Sequence, residues 1–369
     1  MILQEPYAKG IVNRGNWKRL KQCMVRAFRG ERIVVGFLGG SITQGSLATD
    51  EKRCYAYLVC QWLKETFKQA DIGYVNGGIG GTSSLFGAAR AEADVLEKQP
   101  DIVFVDFSVN DEANGFFQET FEGVIRKVYQ WHTKPAVVVL NNVFYDTGAN
   151  AQEYHNPVAA HYGIPCVSMK ESIYADIRAG RYQAQELTPD NLHPNDRGHE
   201  LVAGELIRLL EQVWEERDQE EEEPAYPSPL TANGYEHAMR YQNKNCMPGL
   251  SGFCADHREK ENKYDHFKGG WMGSKVGDQI VFHLECSSLA VQYRKSVKHP
   301  TPVARLVVDG DLKNAVLLDG NFEETWGDCL YLQPVLHHAQ TRDHEILIEI
   351  IKATDQDAEP FYLLSLILA

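Results

Sequence analysis

Two patterns of hydrophobic and polar positions divide this chain. In its first part, unbroken apolar runs alternate with amphipathic stretches. The runs at 33–38, 102–107 and 136–141 have the character of strands buried on both faces of a parallel sheet. The stretches at 55–69, 88–97 and 117–131 repeat their apolar residues every three or four positions and predict helices. A basic segment at 16–29 predicts a solvated surface helix over one sheet edge, and another helix should run from Pro194 to about residue 216. Strands alternating with helices imply a parallel sheet covered on both faces. Ligands of such sheets bind beyond the carboxyl ends of the strands.

In the last part the period shortens to two in places. Segments 279–286, 290–294, 304–310, 344–350 and 361–368 predict short strands of an antiparallel sandwich or jelly roll. Val308-Asp309-Gly310-Asp311 has the composition of a hairpin turn. Between the two patterns, residues 218–229 concentrate acids and three prolines, a composition that extends rather than folds. The expected organisation is a domain at 1–217, a linker at 218–229 and a β domain at 230–369.

Length and charge fit this division. A chain of 369 residues suits two domains, and 43% apolar residues can build sizeable cores. A net charge of −14 argues against a nucleic-acid footprint. There is no basic amphipathic surface for a membrane and no apolar run of the ~18 residues a spanning helix needs. Residues 1–6 lack a secretory pattern. The eight cysteines then read as free thiols in a reducing compartment, and a cytoplasmic location is expected. The sequence leaves a homodimer open.

Chemistry gathers at the ends of the predicted strands. Phe37-Leu38-Gly39-Gly40-Ser41 carries a buried run into two glycines and a serine. Tyr74-Val75-Asn76-Gly77-Gly78-Ile79-Gly80-Gly81-Thr82 runs into a glycine-rich loop, and 102–107 leads to Ser108-Val109-Asn110-Asp111. Asp190-Asn191-Leu192-His193 sets an imidazole three residues after a carboxylate, between Pro189 and Pro194. Each alone has an ordinary explanation: a helix N-cap, a loop asparagine bonding its own backbone, a turn before a helix. Together, and in this order, they resemble the SGNH (GDSL-type) hydrolases over roughly the first 215 residues.

That resemblance implies a three-layer α/β/α, flavodoxin-like domain and serine ester hydrolysis. A serine hydroxyl needs a base within reach to take its proton. His193 is the candidate base, since imidazole is the side chain type suited to proton transfer at neutral pH, and Asp190 would accept the other ring N–H. By resemblance, the oxyanion is held by the backbone N–H groups of Ser41 and Gly81 and by the Asn110 amide. Gly80 competes with Gly81 for that role. The family's usual Gly-Asp-Ser-Leu is Gly39-Gly40-Ser41-Ile42 here, and its usual Gly-x-Asn-Asp is Ser108-Val109-Asn110-Asp111. Neither departure removes a catalytic group. Asp111 would brace its turn or cap the next helix.

The β half resembles the carbohydrate-binding modules and β-sandwiches attached to carbohydrate esterases. Sugar recognition needs flat aromatic faces with polar edges. Trp326, among acids at 323, 324 and 328, and Trp271, in a glycine-containing polar segment, are the candidate substrate platforms. Closing the end of the sandwich is the ordinary alternative for both. Tyr226 and Tyr235 are expected at a groove near the linker. Cys246, Cys254, His257 and His237 fit no close ligand pair, so no metal is expected. Hydrolysis needs no cofactor, although some sugar-binding modules carry calcium. The two-domain layout resembles the mannan O-acetylesterases of carbohydrate esterase family 17 from gut bacteria. It implies an acetylated plant oligosaccharide as substrate. A lipid-type or acyl-thioester hydrolase is the alternative within the fold, and a non-catalytic sugar-binding protein is the alternative outside enzymes.

Overall fold

A computed structural model describes residues 9–262 and 265–369. The opening hexapeptide, read above for a leader pattern, lies outside the described residues. Six strands form the first sheet: β1 (Ile11–Asn13), β2 (Ile33–Gly39), β3 (Ile72–Gly78), β4 (Ile102–Asp106), β5 (Ala136–Asn141) and β6 (Cys166–Ser168). Their order is β1-β6-β5-β4-β2-β3. β2 to β6 are parallel, and β1 closes the β6 edge antiparallel. Taken without β1, the parallel strands follow the flavodoxin-like order, and the order reverses between β2 and β4, where ligands of such sheets bind. The three-residue β1 and β6 are too short to announce themselves by period.

Alternation along each strand sends side chains to two helical layers. Val35 and Phe37 of β2, Phe104 of β4 and Val138 and Leu140 of β5 share one core with helices Lys18–Phe28, Tyr55–Thr66 and Asp196–Glu215. Phe37 stacks on Phe104 at 4.8 Å. On the other face Val95 follows helix Ser84–Asp94 and sits so close to the sheet that a Cβ at Gly36 or Gly77 would come within 2.6 Å of it. Helices Gly115–Tyr129 and Gln152–His161 continue that layer.

The chain divides into two compact units, one ending at Glu236 and the other His237–Ala369. Residues 218–229, expected as an extended linker, lie on the first unit. Arg14 pairs with Glu216 and Glu221, Arg19 pairs with Glu223, and the backbone N–H of Trp17 donates to Glu221 at 2.8 Å. Self-repulsion of the acidic run is relieved by the basic segment at the start of the same unit. The next residues go deeper. The buried Glu122 carboxylate accepts from the backbone N–H groups of Leu230 (2.6 Å) and Thr231 (2.8 Å), and from the hydroxyls of Thr231 and Tyr162. Burial pushes the Glu122 pKa up, but these donors outweigh it and hold it below the ordinary range.

The second unit is two antiparallel sheets on one core. In the first sheet, strands Cys329–Leu336, Leu289–Lys295, Phe361–Leu368, Trp271–Gly273 and Cys254–Ala255 lie in that order, and Met239–Tyr241 also pairs with Phe361–Leu368. The second orders Val316–Asp319, Val303–Val308, Arg342–Lys352, Gln279–Cys286 and Gly249–Ser251. Val291 and Leu363 from one meet Phe282 and Ile348 from the other in a single cluster. Strand Cys329–Leu336 carries Pro334 and was hidden in the sequence. It lies at a sheet edge, where a missing N–H is tolerated. The expected turn forms with Asp309 and Gly310 both at positive φ (52° and 72°), and Asp311 N–H donates to Val308 O at 2.9 Å, but it is one corner of a longer connection, since the two strands pair only from Leu306 and Val316 onward.

Candidate active site

β2 ends at Gly39, and Ser41 opens a four-residue helix, Ser41–Gln44. This turn puts the Ser41 hydroxyl beyond the carboxyl end of the sheet, in a residue 7% exposed. The other half arrives from far along the chain. His193 Nε2 lies 2.8 Å from Ser41 Oγ, and His193 Nδ1 lies 2.6 Å from Asp190 Oδ2. Asp190 Oδ1 accepts from the N–H groups of His193 (2.7 Å) and Leu192 (3.0 Å) and from the Thr188 hydroxyl (3.1 Å). Burial acts to raise the Asp190 pKa, but the His193 ring and these amides prevail and hold it below the ordinary carboxylate value. An anionic Asp190 keeps the hydrogen on Nδ1 and leaves Nε2 free to accept from Ser41. Asn191 takes φ +63° to make this tight turn, and its carbonyl accepts from Tyr145 N–H at 2.7 Å.

The Ser41 N–H begins a helix, where backbone N–H groups lack intrahelical acceptors. The β3 loop passes beside it: a Cβ at Gly80 would stand 3.7 Å from Ser41 Cβ. Gly80 N–H donates to Gln44 Oε1 at 2.5 Å. Gly81 N–H has no acceptor among the described residues, and Gly81 sits at φ +67°, a conformation that favours glycine. Between the two candidates, the bonding therefore favours Gly81. Asn110, after β4, brings its amide against Gly40. A Cβ at position 40 would lie 2.0 Å from Asn110 Oδ1. The glycine standing where the family usually has an acid thus leaves the space that Asn110 fills.

Several supporting residues carry no short motif. Arg90, buried in helix Ser84–Asp94, donates to the carbonyls of Gly39 (2.8 Å) and Gly77 (2.5 Å), tying the ends of β2 and β3. Asn76 Nδ2 donates to Thr43 O at 2.8 Å, and Thr43 Oγ1 is 2.8 Å from Tyr55 OH. Beneath them, burial pushes the Asp106 pKa up to about 6, against hydrogen bonds from Asn142 and Thr43. His199 is buried; it accepts from Tyr55 N–H at Nδ1 and donates from Nε2 to Ser46 O, both at 3.3 Å. Burial lowers its pKa to about 4, so it is neutral and structural. Asp196 accepts from the N–H and hydroxyl of Thr49 (2.9 and 2.7 Å), binding the His193 segment to the loop after Ser41. The position of Asp196 and His199 just past His193 was the one available signal.

The aromatic candidates separate. Trp271 is not a sugar platform: it is 1% exposed, lies in a strand, and sets its ring edge-on to Phe282 at 5.3 Å. The flanking glycines that suggested a loop let neighbouring side chains and backbone approach instead: Gly270 meets Leu363 O and Gly273 meets Phe253. Trp326 is 63% exposed and touches Phe322 edge-on at 5.0 Å. Tyr235 is buried against Phe116, and Tyr226 stacks on Tyr129 at 5.6 Å, so both are packing residues of the first unit. Among the described residues, His237, Cys246, Cys254 and His257 do not gather within ligand distance, and no helix is long and apolar enough to cross a membrane.

The chain is similar to known proteins. Residues 37–201 match the model of the GDSL-like Lipase/Acylhydrolase family. A two-domain esterase active on acetylated mannans, in a crystal with mannopentaose, is 51% identical; the match covers 98% of this chain and 97% of that one, with a TM-score of 0.95. A second crystal structure of a two-domain esterase active on acetylated mannans matches at 51% identity, covering 98% of both chains, with a TM-score of 0.96. An acetylxylan esterase of Geobacillus stearothermophilus is 26% identical over 214 residues, which are 50% of this chain and 96% of that protein.

Proposed function

The chain belongs to the GDSL-like lipase/acylhydrolase family, and on that premise we propose that it is a carbohydrate O-acetylesterase acting on acetylated mannan oligosaccharides. The observation that carries the reading is the hydrogen-bonded series Asp190–His193–Ser41, at 2.6 and 2.8 Å. Ser41 Oγ attacks the acetyl carbonyl while its proton passes to His193 Nε2. Charge on the carbonyl oxygen is met by the N–H groups of Ser41 and Gly81 and by the Asn110 amide. His193 returns the proton to the departing sugar oxygen. It then deprotonates a water that attacks acetyl-Ser41, and acetate leaves as His193 passes that proton to Ser41 Oγ.

The choice of mannan is supported by the 51% identical two-domain esterase, whose match spans both units. Exposed Trp326 is the candidate sugar platform. All eight cysteines are free thiols, which suits a reducing cytoplasm and substrates already taken into the cell.

Acetate release should be measured on acetylated mannan, acetylated xylan and a medium-chain acyl ester. We expect mannan to be preferred, and Ser41→Ala to abolish release from every substrate. Preference for the medium-chain ester would favour a lipid-type hydrolase, and an active Ser41→Ala protein would exclude this nucleophile.

A further inference from the structure

A buried acid outside the Ser41–His193–Asp190 series joins the two loops that reach the oxyanion. Asp111 directly follows Asn110, and its side chain is fully buried. Asp111 Oδ1 accepts from the backbone N–H of Ser84 at 2.8 Å, across 27 residues of sequence. Ser84 is the first residue of helix Ser84–Asp94, three positions after Gly81. Ser83, at the N-cap, makes no side-chain capping bond. The acceptor that this residue type would ordinarily supply locally comes instead from the Asn110 loop. A local cap would order the helix start equally well, but it would leave the two loops unconnected.

The other carboxylate oxygen is held just as firmly. His155, on helix Gln152–His161, places Nε2 at 3.1 Å from Asp111 Oδ2. Its Nδ1 has no partner among the described residues, so the ring hydrogen belongs on Nε2 and points at the acid. The ring lies flat on Phe121, with centroids 3.7 Å apart and planes 5° from parallel. Backbone bonds from Asn110 and Asp111 N–H to Phe107 O, at 3.0 and 2.9 Å, close the turn.

We propose that Asp111, oriented by His155, is a positioning residue that sets the spacing between the Gly81 N–H and the Asn110 amide. The proposal rests on the reading of those two groups as oxyanion donors. Asp111 touches no reacting atom. Its effect should fall on the tetrahedral species and spare ground-state binding.

The test uses the full chain and the variants Asp111→Ala, Asp111→Asn, His155→Leu and His155→Gln. It measures kcat and KM on p-nitrophenyl acetate, affinity for methylboronic acid as a tetrahedral mimic at Ser41, and Tm. Asp111→Ala and His155→Leu should lower kcat about 10- to 100-fold, below the loss of an entire donor. KM should hold within about twofold, and boronate affinity should fall by the same factor as kcat/KM. Asp111→Asn, which keeps an acceptor for Ser84, and His155→Gln, which keeps a donor for the acid, should recover most of both. If Asp111→Ala does not fold, His155→Leu decides. The proposal is overturned if folded variants keep kcat within twofold, or if kcat falls while boronate affinity stays. A wild-type protein that binds no boronate would count against the nucleophile reading rather than the clasp.

Discussion

At Gly40 the family's usual acid is missing, and the structure gives a reason at atomic scale. Asn110 Oδ1 occupies the place a Cβ would take. Gly40→Ala should therefore push the Asn110 amide off its line to the oxyanion. We expect kcat on a small acetyl ester to fall by about 10²-fold, with KM and Tm nearly unchanged. Steady-state kinetics and a melting curve check this; an unchanged kcat would mean that the Asn110 amide does not serve the oxyanion. Ser41, Asn110, Asp190 and His193 were legible in the sequence because each sits in a short, distinctive stretch. Arg90, Asn76 and Asp196 were not, because a brace is defined by which backbone group it meets; Asp111 was expected to brace its turn or cap the next helix, but the helix it caps is the earlier one, Ser84–Asp94. Gly39, Gly77, Thr49 and Ser84 are remote from them in sequence.

Among elements, the long ones announced themselves. β2, β4 and β5 are continuous apolar runs, and apart from half-buried Val34 their strand residues are buried on both faces. Three-residue β1 and β6 left no period, and Pro334 disguised an edge strand. Trp271 was misread for a related reason: its strand has only three residues, so glycines dominated the local composition. The two tryptophans make opposite predictions. Trp271→Ala should cost the second unit about 3–5 kcal/mol, the usual loss for a buried aromatic, seen as a lower melting transition. Trp326→Ala should leave that transition in place and slow hydrolysis of acetylated oligosaccharide more than of p-nitrophenyl acetate. Equal losses on the two substrates would reject a sugar-contact role.

For the whole molecule, two units were foreseeable from the change of period, but the place of division was not. Acids and prolines at 218–229 read as a spacer because the sequence does not show that Arg14 and Arg19 lie opposite. A chain ending at Glu236 should fold, melt cooperatively and cleave p-nitrophenyl acetate. One ending at Arg217 loses three of the four donors to Glu122 and leaves that carboxylate short of hydrogen-bond partners. We expect it to be insoluble or to melt far lower. Equal melting temperatures for the two truncations would show that residues 218–236 are dispensable.

The same carboxylate bears on the order of events at the ribosome. Domains usually fold as they emerge, amino-terminal end first. Every strand of the parallel sheet is synthesised before Leu230 and Thr231, yet the Glu122 carboxylate does not gain their hydrogen bonds until those two residues leave the exit tunnel. The hydrolase half should therefore consolidate late in translation, when the first residues of the sandwich are already being added.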